Sequence, residues 1–516
     1  MPSLLPHDPG LPERTRRRVA LYLIPYLFFL YILAYLDRAN VSVAMEGMNL
    51  PPSQGGVGFT AFICGFGTGL FFWGYWILEI PSTQGVLTYG ARWVFIRILV
   101  LWGLSCTLIG FIGLPWFNDL FSWLPGVDRW PLLGSIFPHK AEVPEGADPS
   151  SVVQPDTQVV AQFYFLRFML GLFEGGFFPA VIMYLSIWFR PRDRSRAIAA
   201  FMSAIPVSLL LGTPLSEFLM KEVEWGGLPG WRWVYIIQGV VPILAGVVTV
   251  WFLPDRPEKA DWLPPDEKSW LVGELARDQA AKTGHGHGWG GQTGVVLLMT
   301  FYYFCMNVAS YGLSTFMPTL IKTQSGLPKD WAGYVAGLPY LFGLAGMLFN
   351  GWHSDRTGER IWHTVFPLVG LSLGLSGAAA AVATGQGALA AVILTLVVGG
   401  CMYAHLPAFW PLPTVFMGAA GAAAAIGFIN MIGNFGGFVG PVVFGRAAAV
   451  KAYATGLFIL APFPLASALI ILLVGYLRRE KLQAARESIL NEAAPSMPRQ
   501  GPSEGIRPAD AGITGS

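Results

Sequence analysis

Charge is scarce in this sequence. Asp, Glu, Lys and Arg make up 12% of its 516 residues, against 53% that are hydrophobic. A soluble globular domain carries about 25% charged residues. Roughly half the polar surface that would cover a soluble core is therefore missing, which excludes an ordinary water-soluble globule and requires lipid around much of the outside. A formal net charge of +2 excludes the basic excess of a nucleic-acid binder. Cysteine is sparse too. Cys64, Cys106, Cys305 and Cys401 lie in apolar runs without disulfide or metal-ligand spacing, and read as packing residues. No HExxH, nucleophile–base arrangement or metal cluster appears, so the expectation is no enzyme, no metal and no cofactor. The one hint of a metal is Gly284-His285-Gly286-His287-Gly288. Two histidines fall short of the roughly four ligands of a structural site, and the segment reads as a linker. The first apolar run is too long for a signal peptide and lacks a small-residue cleavage site.

What the chain does have is apolar stretches long enough to span a bilayer. They fall near residues 19–45, 58–83, 92–114, 160–189, 196–220 and 232–253, and again near 294–321, 331–353, 363–384, 388–410, 421–446 and 453–477. The pattern predicts an all-α membrane protein of twelve transmembrane helices, arranged as two six-helix bundles over 19–253 and 294–477. The connecting 254–293 has Pro-rich turns, a charged, amphipathic helical stretch and the Gly/His segment. Residues 1–18 form an N-terminal segment, and the tail, 478–516, is expected to be disordered. The Pro-rich loop 114–158 is expected to hold little regular structure. Basic residues cluster before the first span (Arg14, Arg16, Arg17, Arg18), between the fourth and fifth (Arg190, Arg192, Arg194, Arg196), in the linker and after the last span. An even number of spans puts all of these on one side, so both termini are expected in the cytoplasm.

The halves echo one another. Gly85 to Arg92, after the second span, has a better preserved counterpart in Gly351 to Arg360, after the eighth. Matching motifs at matching places in two six-helix halves mark a duplicated transporter. Arg92, Asp355 and Arg356 in these motifs are the expected gating residues.

An ionisable side chain at mid-bilayer costs at least about 2.5–3.5 kcal/mol, so it needs a partner, a cavity or a task. Two spans carry such pairs. In the first, Tyr31, Tyr35 and Arg38 share a helical face, and Asp37 is turned about 100° from Arg38, toward a neighbouring helix or the cavity edge. In the fourth, Arg167 and Glu174 lie seven apart on one face, beside Gly171, Gly175 and Gly176. Two arginines and two carboxylates facing a common interior suit anion binding coupled to protonation, since a guanidinium can grip a carboxylate bidentately. Tyr75 and Gln84 flank Glu79 in the second span, and Asn307/Tyr311 and Asn430/Asn434 stand at helical spacing in the seventh and eleventh. The tenth holds His405 and Trp410 among Pro407, Pro411 and Pro413, a sequence that should bend or break.

These residues resemble the anion:cation symporter branch of the major facilitator superfamily, most closely its bacterial tartrate- and sugar-acid-type carriers. The matching segments include Tyr35-Leu36-Asp37-Arg38-Ala39-Asn40-Val41, Phe71-Phe72-Trp73-Gly74-Tyr75 with Glu79-Ile80-Pro81, Arg167-Phe168 through Pro179, and Asn430 through Pro441. The resemblance implies a monomeric, proton-driven symporter in the bacterial inner membrane that imports a hydroxy-dicarboxylate or sugar acid such as tartrate by alternating access. An aromatic-acid carrier of the same family, or a proton-coupled efflux carrier, is the alternative. By the same resemblance Asp37 and Glu174 match proton-coupling carboxylates. Arg38 and Arg167 match charges around the substrate carboxylate, and Tyr35, Tyr75, Trp410 and Asn430 match pocket positions. Asn307 and Tyr311 are expected to add neutral contacts from the second half. The chain departs from the pattern at Ile205, where galactonate-type carriers have glutamine, and at Met306 and Thr68, where vesicular glutamate carriers have arginine and histidine.

Overall fold

The structure is a computed structural model and describes residues 10–131, 134–141, 153–280 and 292–493. Among these residues twelve helical segments are long and apolar enough to cross a membrane. They are α1 (Leu11–Met48), α2 (Ala61–Tyr89), α3 (Ala91–Ile109), α4 (Thr157–Trp188), α5 (Ala200–Glu222) and α6 (Gly230–Phe252) in the first half. The second half has α7 (Thr293–Gln324), α8 (Trp331–Thr357), α9 (Ile361–Ala383), α10 (Gly387–Met417), α11 (Ala424–Ala449) and α12 (Tyr453–Leu477). The twelve expected spans are thus all present, several longer than their apolar cores because polar turns continue the helix.

Local chemistry sets the ends. Thr60 caps α2 by accepting a hydrogen bond from the Ile63 amide at 3.2 Å, and Asp156 caps α4 through the Gln158 amide at 2.8 Å. Gly90 and Gly358, both at positive φ, end α2 and α8, with Gly358 in the left-handed helical conformation, so the duplicated loop motif stops its helix on a glycine in each half. Gly175 and Gly176, the latter at φ +89°, break α4 just after Glu174.

Within the first half, α1 packs on α5, α2 on α4 and α3 on α6; in the second, α7 packs on α11 and α12, and α8 on α10. The α2–α4 seam is built by glycines. A Cβ at Gly171 would strike the Phe71 carbonyl, one at Gly175 the Tyr75 carbonyl and one at Gly74 the Phe168 carbonyl. Side-chain-free backbone contact is how helices associate tightly where lipid removes the hydrophobic drive. The halves meet along α2–α11, α1–α7 and α5–α8.

The two ends of the bundle differ. At one, Lys322 of α7 bridges Glu46 of α1 and Glu217 of α5, each at 2.7 Å, and Lys221 pairs with Glu217 at 3.0 Å. At the other, α1 is tied to the linker: Arg14 contacts Asp266 and Glu267, both at 2.9 Å, and Arg190 reaches Glu274 at 3.2 Å. The charged linker stretch forms a helix, Pro265–Ala280, attached to the first half.

Two expectations need correction. The loop after α3 is not loose where it is described. Pro115–Leu120 is helical, Phe117 and Val127 are fully buried, and the Tyr164 hydroxyl donates to the Pro138 carbonyl at 2.6 Å. Its aromatics find a partner in the helix ends beneath, which a proline count does not reveal. The tail is helical over Arg479–Ala493 rather than disordered from 478, with Lys481 donating to the Phe416 carbonyl at 2.7 Å. Segment 284–288, residues 142–152 of the loop, and the tail from 494 lie outside the described residues.

Candidate functional site

A central cavity lies between the halves. Tyr31, Tyr35 and Arg38 of α1 and Tyr75 of α2 form one wall; Asn307, Tyr311, Trp410 and Asn430 face them from the second half. Among the described residues that line it, Arg38 is the only arginine or lysine, and none is Asp or Glu.

Arg38 is held on every side. Its Nε and Nη2 donate to Glu174 Oε1 at 2.8 and 2.6 Å, and its Nη1 donates to the Tyr311 hydroxyl at 3.1 Å. The guanidinium carbon also sits 4.9, 5.1 and 5.3 Å from the ring centres of Tyr35, Tyr75 and Phe71, within the range of cation–π attraction. Glu174 is fully buried behind it. The α2–α4 glycine seam puts Glu174 there, because it brings the last turn of α4 against the backbone of α2. One charge pair is therefore shared by α1 and α4 and bonded across to α7.

Asp37 does not reach the cavity. It points to the neighbouring α3, where Trp102 Nε1 donates to Oδ2, while Asn40 of α1 itself donates through Nδ2 to Oδ1 at 2.8 Å. Arg167 is the larger departure. The expectation that it shares an interior with Arg38 is not met: it is fully buried outside the cavity lining, with Nε donating to the Gly67 carbonyl at 3.4 Å and its charge over the Phe71 ring. The α2 backbone lies close against α4, and its Phe71 ring packs on the Arg167 guanidinium. Arg167 lies within electrostatic reach of both Asp37 and Glu174.

Tyr35, Tyr75, Asn307, Tyr311, Trp410 and Asn430 all line the cavity. Asn307 Nδ2 donates to the Gly433 carbonyl at 3.1 Å and Asn430 Nδ2 to Glu79 Oε1 at 2.7 Å. As the prolines imply, α10 breaks, near Tyr403–His405 and again at Trp410, which turns His405 and Trp410 to the cavity wall. Tyr303 and Tyr403 also line it and were not anticipated. Tyr303 had a legible signal, being one turn before Asn307 on the face that continues to Tyr311. Ile205 and Met306, the two departures from family pattern, are both cavity residues, whereas Thr68 is not. The three residues expected to gate contact neighbours close to their own position in the chain or the adjoining linker. The Arg92 backbone amide donates to Asp255 Oδ1 and its side-chain Nε to the Leu253 carbonyl, Asp355 pairs with Arg360 at 2.7 Å, and Arg356 lies over Trp352.

Comparison with known proteins agrees with this architecture. Residues 146–441 match the Major Facilitator Superfamily. A "Putative tartrate transporter" of Agrobacterium vitis is 34% identical over 90% of this chain and 95% of its own length. A "Quinolone resistance transporter" of Acinetobacter baumannii is 32% identical over 82% and 86%. Among solved structures, the inward open conformation of the xylose transporter XylE from E. coli superposes with a TM-score of 0.63 at 15% identity, over 88% of this chain and 95% of that one. The chain belongs to the major facilitator superfamily. It is a multi-pass membrane transporter of small organic substrates, not an enzyme.

Proposed function

We propose that this chain is a proton-coupled symporter that imports a small organic anion. The observation that carries the reading is the cavity wall, which presents the Arg38 guanidinium and no carboxylate. Arg38 is occupied by Glu174, and a protonated Glu174 would hold it less strongly. Proton uptake would then free the guanidinium for a substrate carboxylate. Tyr35, Tyr75, Asn307, Tyr311, Trp410 and Asn430 are the proposed further contacts. After release, deprotonation would restore the Arg38–Glu174 pair and let the empty carrier return. Asp37, beside Arg167 but behind the wall, is the second proposed proton carrier, and Arg167 supports it rather than gripping the substrate.

The positive clusters near the linker favour a cytoplasmic linker and termini in a bacterial inner membrane. With the halves cross-linked at the Glu46–Lys322 end, the conformation reads as inward-facing. Arg92, Asp355 and Arg356 would then engage across the halves in the opposite state.

The tartrate-named relative supports a hydroxy-dicarboxylate or sugar acid. A second reading, an aromatic acid, draws on a specific observation: one cation in a cavity walled by tyrosines, Trp410, Ile205 and Met306. A second substrate carboxylate there would find no counter-cation, whereas a ring would find apolar and π surface. The quinolone-named relative fits that chemistry, quinolones being aromatic carboxylic acids, and keeps proton-coupled efflux as the alternative direction.

Proteoliposomes with an imposed proton gradient test the coupling. Labelled tartrate, gluconate and 4-hydroxyphenylacetate are the probes. Glu174→Gln is expected to lose uphill accumulation while retaining exchange of labelled for unlabelled anion. A Glu174→Gln carrier that still concentrated its anion would remove Glu174 from the coupling.

A further inference from the structure

The cavity's polar wall has a partner that the mechanism above does not use. Glu79, on α2 in the first half, is 2% exposed, and its Oε1 accepts a hydrogen bond from Asn430 Nδ2, on α11 in the second half, at 2.7 Å. Asn430 lines the cavity and Glu79 does not. A buried carboxyl group in a membrane span is costly and marks a task. Tyr75, one turn earlier on α2, stacks on Arg38, so Glu79 sits on the helix that carries part of the anion site.

The bond's position along the interface matters. From the Lys322 end inward, α2 meets the second half at Gly65 against Pro441, Gly69 against Phe438, Phe72 against Gly437, and then Glu79 against Asn430. The first three are backbone and ring contacts that tolerate small sliding. The last is a directed hydrogen bond between side chains on opposite halves, made at the cavity wall. An amide held through one N–H has its plane fixed, leaving its other N–H and its carbonyl edge available.

We propose that Glu79 is a positioning residue for substrate. It orients the Asn430 amide for the ligand and does so only in the relative position of the halves seen here. Part of the binding site in one half is thus completed by the other, and substrate affinity becomes dependent on conformation. A ligand shifts a two-state equilibrium only by its difference in affinity between the states, and this bond supplies such a difference. The inference rests on the transporter reading, but its first test needs no substrate.

Spin labels at Leu50→Cys and Leu327→Cys, both exposed near the Lys322 end on opposite halves, report the separation of the halves by pulsed electron resonance once the native cysteines are replaced. Glu79→Leu is expected to move population toward longer distances. Glu79→Gln, whose amide oxygen still accepts from Asn430, should restore the parental distribution. Identical distributions for all three proteins would overturn the proposal, whatever the carrier transports. The second arm measures affinity for whichever of tartrate, gluconate or 4-hydroxyphenylacetate the parent binds. Glu79→Leu and Asn430→Leu should each weaken binding about tenfold, with the double variant no weaker than either single one. Multiplying effects, or a Glu79→Gln carrier as weak as Glu79→Leu, would overturn the positioning role. If Glu79→Leu fails to fold, Asn430→Leu reads the same bond from the other half, and an unchanged distance distribution there also overturns it. A parent that binds none of the probes speaks against the substrate assignment and leaves the distance test to decide this inference.

Discussion

Arg38→Ala is expected to abolish anion uptake and, separately, to destabilise the folded carrier by about 3–5 kcal/mol, the usual cost of leaving one member of a buried ion pair alone. The two effects have different origins. Uptake is lost because Arg38 is the only arginine or lysine among the described cavity-lining residues. Stability is lost because Glu174, fully buried, would keep its charge site without the two hydrogen bonds it accepts from Arg38. They can be separated. The double variant Arg38→Ala/Glu174→Gln should regain most of the thermal stability lost, measured by intrinsic-fluorescence melting in detergent, while anion binding stays absent. Arg38→Lys should retain the fold better than Ala but bind weakly, since an ammonium lacks the planar fork that meets a carboxylate and the Glu174 oxygen together. Uphill accumulation by Arg38→Ala would end the anion-site assignment.

Lys322→Glu is expected to drive the halves apart at the end where they now meet. The lysine contacts Glu46 and Glu217 at 2.7 Å each, so reversing its charge gathers three carboxylates where an ion triad stood. Like charges about 4 Å apart repel by about 4 kcal/mol at an effective dielectric constant of 20. Glu46 is 59% exposed and screened by water, but Glu217 is fully buried and is not. Even half that repulsion, about 2 kcal/mol, changes a two-state ratio roughly thirtyfold. A cysteine introduced at Ser310 on the cavity wall should therefore react much faster with a membrane-impermeant thiol reagent added from the Lys322 side in Lys322→Glu than in the parent. Equal labelling rates would show that the triad does not hold this end shut. Lys322→Ala should lie between the two, because Lys221 still neutralises Glu217.

The twelve spans were legible because each is a run of apolar residues that only lipid can solvate, and a run needs no knowledge of its neighbours. The faces of α1 and α7 were legible for a similar reason. Tyr31, Tyr35 and Arg38 follow helical spacing, as do Asn307 and Tyr311, and spacing alone puts each set on one side. What escaped was set by contacts between helices. Arg167 and Glu174 satisfy the same spacing rule, yet Arg167 lies outside the cavity lining against the Phe71 ring, which the close approach of α2 to α4 puts there. Glu79 read as a neighbour of Tyr75, with nothing local to announce Asn430, 351 positions away. The helical turn at Pro115 and the helix after Arg478 escaped because proline and charge counts register composition, whereas burial of Phe117 and the Lys481 bond depend on the surfaces beneath.

The attachment of the linker helix to the first half has a mechanical meaning. Arg14 and Arg190 moor Pro265–Ala280 to α1 and to the segment after α4, so that helix belongs to the first half as ballast belongs to a hull. Any displacement of the first half relative to the second therefore has to carry Pro265–Ala280 with it, and the ion pairs of Arg14 and Arg190 should survive such a displacement intact.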